Sequence, residues 1–126
     1  MIKTISSKNA PKAIGPYSQG IQVGQFIFLS GQIPLNPSTN RVVEGDIKEQ
    51  TEQVMQNIKG LLEDIGLSLQ NVVKTTIFVR DIRTFDQVNT VYSRFLGEHR
   101  PARSTVEVSN LPKNVLVEIE AIVSIN

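Results

Sequence analysis

The chain has 126 residues, 40% of them hydrophobic and 20% charged, with 13 basic and 12 acidic side chains and a net charge of +1. That balance describes one globular domain with its own core rather than a disordered chain. Without cysteine there is no disulfide framework, no thiolate nucleophile and no Cys-ligated metal, and no apolar run reaches the ~18–20 residues a membrane span needs.

The opening Met1-Ile2-Lys3-Thr4-Ile5-Ser6 lacks the apolar core of a signal peptide, so a cytoplasmic protein is expected. No Lys/Arg block stands out and no aromatics interleave with basic residues, which argues against a nucleic-acid partner. Residues 19–31 read as two short strands joined by a turn at Gly24-Gln25. In the second strand Phe26, Phe28 and Ser30 share one face, and Ile27, Leu29 and Gly31 the other. Pro34 to Asn40 is a loop, and Arg41-Val42-Val43 is expected to add a brief edge strand.

Asp46 followed by Glu49 is a capping-box pattern and starts a helix. Ile47, Thr51, Val54, Ile58, Leu61, Leu62 and Ile65 place an apolar stripe along it, and Gly66 ends it. Residues 72–80 are rich in Val, Thr, Ile and Phe and read as a strand. A second helix is expected from Thr84, capped with Gln87, burying Phe85, Val88, Val91, Tyr92 and Phe95 and ending at Gly97. Two strands follow near 102–109 and 115–124, with Leu111-Pro112-Lys113-Asn114 as the turn between them.

The order β-β-α-β-α-β-β implies an α+β fold, a mixed β-sheet with two helices on one face. In the last strand Val115, Val117, Ile119, Ala121 and Val123 form the face under the helices. The opposite face carries Leu116, Glu118, Glu120 and Ile122, which is half apolar and has no third layer to cover it. A partner subunit is the expected cover, although single exposed Leu and Ile residues are ordinary.

Four segments carry candidate chemistry. Arg103, Thr105 and Glu107 point to one strand face, where the guanidinium fork of Arg103 suits a substrate carboxylate or a structural pair with Glu107. Glu118 and Glu120 lie on one strand face with Cα atoms about 6.5–7 Å apart. They read either as a carboxylate pair with a raised pKa or as two solvated glutamates. Gly15-Pro16 presents Tyr17 in a defined direction, to orient a substrate or to pack. Leu29-Ser30-Gly31-Gln32 puts a glycine where a ligand can approach the backbone, or simply ends a strand. His99 is the only histidine, so a His-based metal cluster is excluded, and Asn89 sits beside the apolar stripe of the second helix.

Taken together, Ile14-Gly15-Pro16-Tyr17-Ser18-Gln19, Ser30-Gly31-Gln32-Ile33-Pro34, Thr75-Thr76-Ile77-Phe78-Val79, Pro101-Ala102-Arg103-Ser104 and Val117-Glu118-Ile119-Glu120 resemble the reactive-intermediate deaminases. These are the 2-iminobutanoate/2-iminopropanoate deaminases, and the resemblance runs nearly end to end with the segments in the same order. It implies a single domain over residues 1–126, a chorismate-mutase-like homotrimer with sites at subunit interfaces, and hydrolysis of a small 2-imino acid to a 2-oxo acid and ammonia. No cofactor and no metal are implied.

Arg103 would grip the substrate carboxylate, Glu118 would activate or position water, and Tyr17 would orient substrate from across the interface. The backbone around Gly31 and Thr105 would hold the bound acid, Ser30 and Asn89 would line the site, and Glu120 would be structural. Two departures bear on substrate range. Position 105 is Thr where many members have Cys, and the loop before Pro101 is shorter than in some members. A ribonuclease or translation inhibitor, and a non-catalytic ligand-binding or chaperone-like trimer, are the rival expectations.

Overall fold

Asp46 starts the first helix as its spacing predicts. Its carboxylate accepts from the Lys48 backbone N–H at 3.0 Å, and Glu49 Oε1 accepts from the Asp46 N–H at 2.9 Å, closing the capping box. The computed structural model describes residues 1–126, with helices α1 (Ile47–Asp64) and α2 (Phe85–Leu96). Six strands accompany them: β1 (Ile2–Ile5), β2 (Gly20–Val23), β3 (Phe26–Gln32), β4 (Val72–Val79), β5 (Ala102–Glu107) and β6 (Val117–Ser124). They form one sheet in the order β1-β2-β3-β6-β4-β5, antiparallel except for the β4–β5 pair that α2 connects. The α+β fold with a mixed sheet is the expected one. No helix is long and apolar enough to cross a membrane.

The apolar stripe of α1 packs on the sheet, where Val54, Ile58, Leu61 and Leu62 meet Ile77, Ile119 and Val123 in one buried cluster. Gly66 ends the helix at φ 82°, and the Leu67 N–H returns to the Leu62 carbonyl at 2.8 Å. Two buried polar side chains of α1 tie it to the segments that flank β3 and β6. Gln50 Oε1 accepts from the Leu116 N–H at 2.7 Å, and Asn57 Nδ2 donates to the Leu35 carbonyl at 2.9 Å.

The structure differs from expectation at three places. β1 is an added edge strand, too short for its alternation to register in the sequence, and it pairs with β2 from Ile2–Val23 to Ile5–Gly20. Residues 41–43 form no strand; Val42 makes a single bridge with Leu35. The capping box at Thr84 does not form, because a 3₁₀ turn at Ile82–Thr84 precedes α2 and the Thr84 hydroxyl donates to the Asp81 carbonyl at 2.6 Å. Along α2, Val88, Val91, Tyr92 and Leu96 are buried, while Phe85 and Phe95 are half-buried.

Opposite the helices the sheet is bare. Phe26 and Phe28 are 47% and 48% exposed and Val106 is 41% exposed on this face. Ile122 lies directly opposite Phe28. An exposed apolar sheet face of this kind marks an interaction surface.

Candidate active site

The decisive local feature is a bulge in β3. Leu29 pairs with Ala121 and Gln32 with Ile119, so three steps along β3 match two along β6. Ser30 and Gly31 together oppose a single residue, and the alternation expected from the sequence breaks there. Gly31 therefore does not share the face of Ile27 and Leu29; a Cβ built on it would lie 2.0 Å from Glu118 Oε2, on the bare side of the sheet. The missing side chain of Gly31 is the space that the Glu118 carboxylate occupies.

Glu118 is half-buried and makes no hydrogen bond to the protein. Burial pushes its carboxyl above the ordinary glutamate value, and the nearby Glu120 charge pushes it further the same way. It opens into a cavity of about 560 Å³ that Tyr17, Gln19, Ser30, Gly31, Lys12 and Lys113 also line. Tyr17 is 54% exposed there, carried by the turn in which its N–H meets the Gly15 carbonyl at 2.9 Å. The Ser30 hydroxyl is committed to the Ser18 carbonyl at 2.5 Å, so it shapes the wall and offers only its lone pairs to a ligand.

Arg103 lies elsewhere. On β5 it pairs with Thr75, which is buried and pairs in turn with Ala121, so Arg103 faces the helices. Its Nη1 donates to Asn89 Oδ1 at 2.7 Å, and its Cζ sits 5.1 Å from the Phe85 ring centre and 5.2 Å from that of Tyr92. The Tyr92 hydroxyl is held by Thr75 Oγ1 at 2.6 Å. Burial pushes the phenol above its usual pKa, against the opposing pull of that hydrogen bond and of the Arg103 and Arg100 charges. An Arg103–Glu107 pair does not form, because Glu107 Oε1 accepts from the Ile82 N–H at 2.9 Å. The one ion pair in the chain is the exposed Arg83–Asp81 contact at 3.0 Å. The Arg103 charge is thus cradled by neutral groups and uncompensated, lining a cavity of about 280 Å³ with Asn89, Tyr92, Ser93, Arg100 and Pro101.

Thr105 lies two residues along β5 on the same face as Arg103, and its hydroxyl is buried with no hydrogen-bond partner. The sequence-predicted residues therefore fall into two groups: Tyr17, Ser30, Gly31 and Glu118 around one cavity, and Asn89 and Arg103 around the other, with Thr105 beside Arg103. The cavities share no residue, and Arg103 and Glu118 stand on opposite faces of the sheet. Phe85 and Tyr92, which the periodicity of α2 places in the core, also wall the Arg103 guanidinium. Their spacing with Asn89, at i, i+4 and i+7 on one helix stripe, was the available signal. His99 is half-buried with Nε2 on the Val72 carbonyl at 2.7 Å, a structural tie. No group of three His, Cys, Asp or Glu side chains is arranged to hold a metal ion.

Residues 7–125 match the model of the family described as Endoribonuclease L-PSP. The chain belongs to that family. It is 56% identical over 120 residues to a RutC family protein of Pyrococcus abyssi, covering 95% of this chain and 94% of the relative. To the 2-iminobutanoate/2-iminopropanoate deaminase of Escherichia coli K12 it is 50% identical over 125 residues, covering 97% of each. A solved structure from Yersinia pestis, described as a protein of unknown function of the conserved Rid protein family, superposes with a TM-score of 0.95 at 50% identity, covering 98% of this chain and 99% of that one. The reactive-intermediate deaminase resemblance of the sequence motifs is thereby established as family membership.

In this chain Gly31 offers a clean perturbation of Glu118. In Gly31→Ala the new methyl meets only the flexible end of Glu118, with Oε2 at 2.0 Å and Cδ at 2.8 Å, so the carboxylate swings away while the backbone stays. The expected outcome is a loss of at least about tenfold in any activity that depends on Glu118, as positioning losses of this size allow. The melting temperature should move by only a few degrees. Unchanged turnover in Gly31→Ala would show that the Glu118 position is immaterial.

Proposed function

We propose that this chain hydrolyses reactive 2-imino acids such as 2-iminobutanoate and 2-iminopropanoate to 2-oxo acids and ammonia, working as a homotrimer. The observation that carries the reading is the half-buried Arg103 guanidinium, which has no carboxylate partner in the chain and lines an open cavity. A charge left in that condition is matched by a carboxylate from outside. Because Arg103 and Glu118 lie on opposite faces of one sheet, a complete site takes Arg103, Asn89 and Thr105 from one subunit and Glu118, Tyr17 and Gly31 from its neighbour. The bare apolar face around Phe28 supplies the surface that brings them together.

In this site Arg103 fixes the substrate carboxylate and so aims the imine carbon. A water beside Glu118 gives up a proton to the carboxylate and its oxygen bonds to that carbon. The C=N electron pair moves to nitrogen, which takes that proton from Glu118 to give the carbinolamine; the hydroxyl proton then passes through Glu118 to nitrogen, the C–N bond breaks, and ammonia leaves as the carbonyl forms. Each step uses only water and side chains of this chain. A cysteine-free protein acting on short-lived metabolites fits the cytoplasm.

The test couples the protein to a threonine or serine dehydratase and follows 2-oxo acid release. Wild-type protein is expected to accelerate release over the spontaneous rate; no acceleration by a folded oligomer would overturn the reading. The ribonuclease suggested by the family description finds less support. The chain's single histidine holds a backbone carbonyl, and acid–base cleavage of RNA by a pair of histidines has no second residue to use.

A further inference from the structure

The cavity around Arg103 contains a second guanidinium that the deamination of small apolar imines leaves idle. Arg100 stands in the short loop before Pro101 and lines the same cavity of about 280 Å³. Its Nη1 donates to the Gly97 carbonyl at 2.6 Å and to the His99 carbonyl at 2.9 Å, which anchors the side chain at the end of α2. The remaining guanidinium edge, Nε and Nη2, makes no hydrogen bond within the protein. The other lining groups, Asn89, Tyr92, Ser93 and Pro101, are neutral, and neither arginine has an ion pair. Both arginines line this one cavity together with Tyr92.

We propose that this paired-arginine cavity extends the substrate class to 2-imino dicarboxylates, with Arg103 holding the carboxylate beside the imine and Arg100 the distal one. The proposal rests on the imine-deaminase reading and adds a specificity residue to it. For a four-carbon substrate, 2-iminosuccinate and water give oxaloacetate and ammonia. The water oxygen bonds to C2, both bonds from C2 to nitrogen break in turn with their electron pairs going to nitrogen, both water protons end on nitrogen, which leaves as ammonia, and nothing is oxidised or reduced. Two carboxylates against two fixed guanidinium edges match in charge, whereas a monocarboxylate leaves Arg100 unused.

The experiment is calorimetric binding of a matched pair of product analogues, 2-oxoglutarate and 2-oxopentanoate, which differ only in the distal carboxylate. Wild-type protein is expected to bind 2-oxoglutarate about tenfold more tightly, as one added hydrogen-bonded charge contact at a partly exposed site provides. Arg100→Ala is expected to erase that ratio and Arg100→Glu to invert it. Because the ratio is the readout, a general disturbance of the loop, which weakens both ligands equally, does not mimic the result. Equal affinities in wild type, or a ratio unmoved by Arg100→Ala, overturns the proposal while 2-oxopentanoate binding leaves the deaminase site standing. If neither 2-oxo acid binds and the coupled assay shows no acceleration, the deaminase reading falls and this inference with it.

Discussion

Replacing Arg103 with alanine is expected to lower kcat/KM for a 2-imino acid about 10³-fold while the circular dichroism stays that of the wild type. Truncating one partner of a desolvated charge pair costs about 2–5 kcal/mol, and a loss near 4 kcal/mol is about three decades. The fold survives because Arg103 sits on edge strand β5, with a single hydrogen bond to Asn89 and no ion pair to break. Arg103→Lys should recover only part of the loss, since an ammonium lacks the planar fork that binds a carboxylate through two parallel bonds. Near-normal turnover by a folded Arg103→Ala protein would remove the carboxylate clamp from the mechanism.

The same variant tests the divided site. Arg103→Ala and Glu118→Gln proteins, each nearly inactive, are to be mixed, unfolded and reassembled. In a cyclic trimer with head-to-tail interfaces about one quarter of the sites then combine an intact Arg103 with an intact Glu118. Activity should return to about that fraction of wild type. A site housed within one chain gives no recovery at all.

Much of this architecture is legible in the amino-acid order, and what is hidden has physical causes. The long helix could be read because capping and amphipathic spacing are local, and Asp46, Glu49 and Gly66 act within one turn of each end. β1 was invisible because four residues at a sheet edge, with Ile2 exposed, carry no buried alternation. The bulge at Ser30–Gly31 depends on the register with β6, a pairing across some ninety residues of chain that a local period cannot express. The motifs located Arg103 and Glu118, yet only the register shows that they face opposite ways. Nor did the sequence separate Phe85 and Tyr92 as aromatic walls from Val88 and Val91 as core, since all four lie within the apolar part of one helix.

Glu118→Gln is expected to reduce kcat about 10²–10⁴-fold, the usual range for loss of a positioned general base. It should also change the shape of the pH profile. Burial and the nearby Glu120 charge raise the wild-type carboxyl above the ordinary glutamate value, so the active, ionised form is lost on acidification at a higher pH than an ordinary glutamate would give. The acid limb of kcat/KM should report that raised value in wild type and disappear in Glu118→Gln.

Stability should move the other way. A carboxyl whose folded pKa lies above its unfolded one binds more protons when folded, so it stabilises the fold fully only below the unfolded pKa. That contribution is lost as pH rises through the folded pKa. At neutral pH the wild-type protein therefore carries an unfavourable, half-desolvated charge that glutamine lacks. The melting temperature of Glu118→Gln is expected to exceed that of wild type at pH 7, with the gap closing as both proteins are taken toward pH 4. A destabilised Glu118→Gln protein at neutral pH would mean that the carboxylate has a favourable partner and serves structure. A more stable and inactive one would mark Glu118 as a group kept at a cost to the fold for the chemistry it performs.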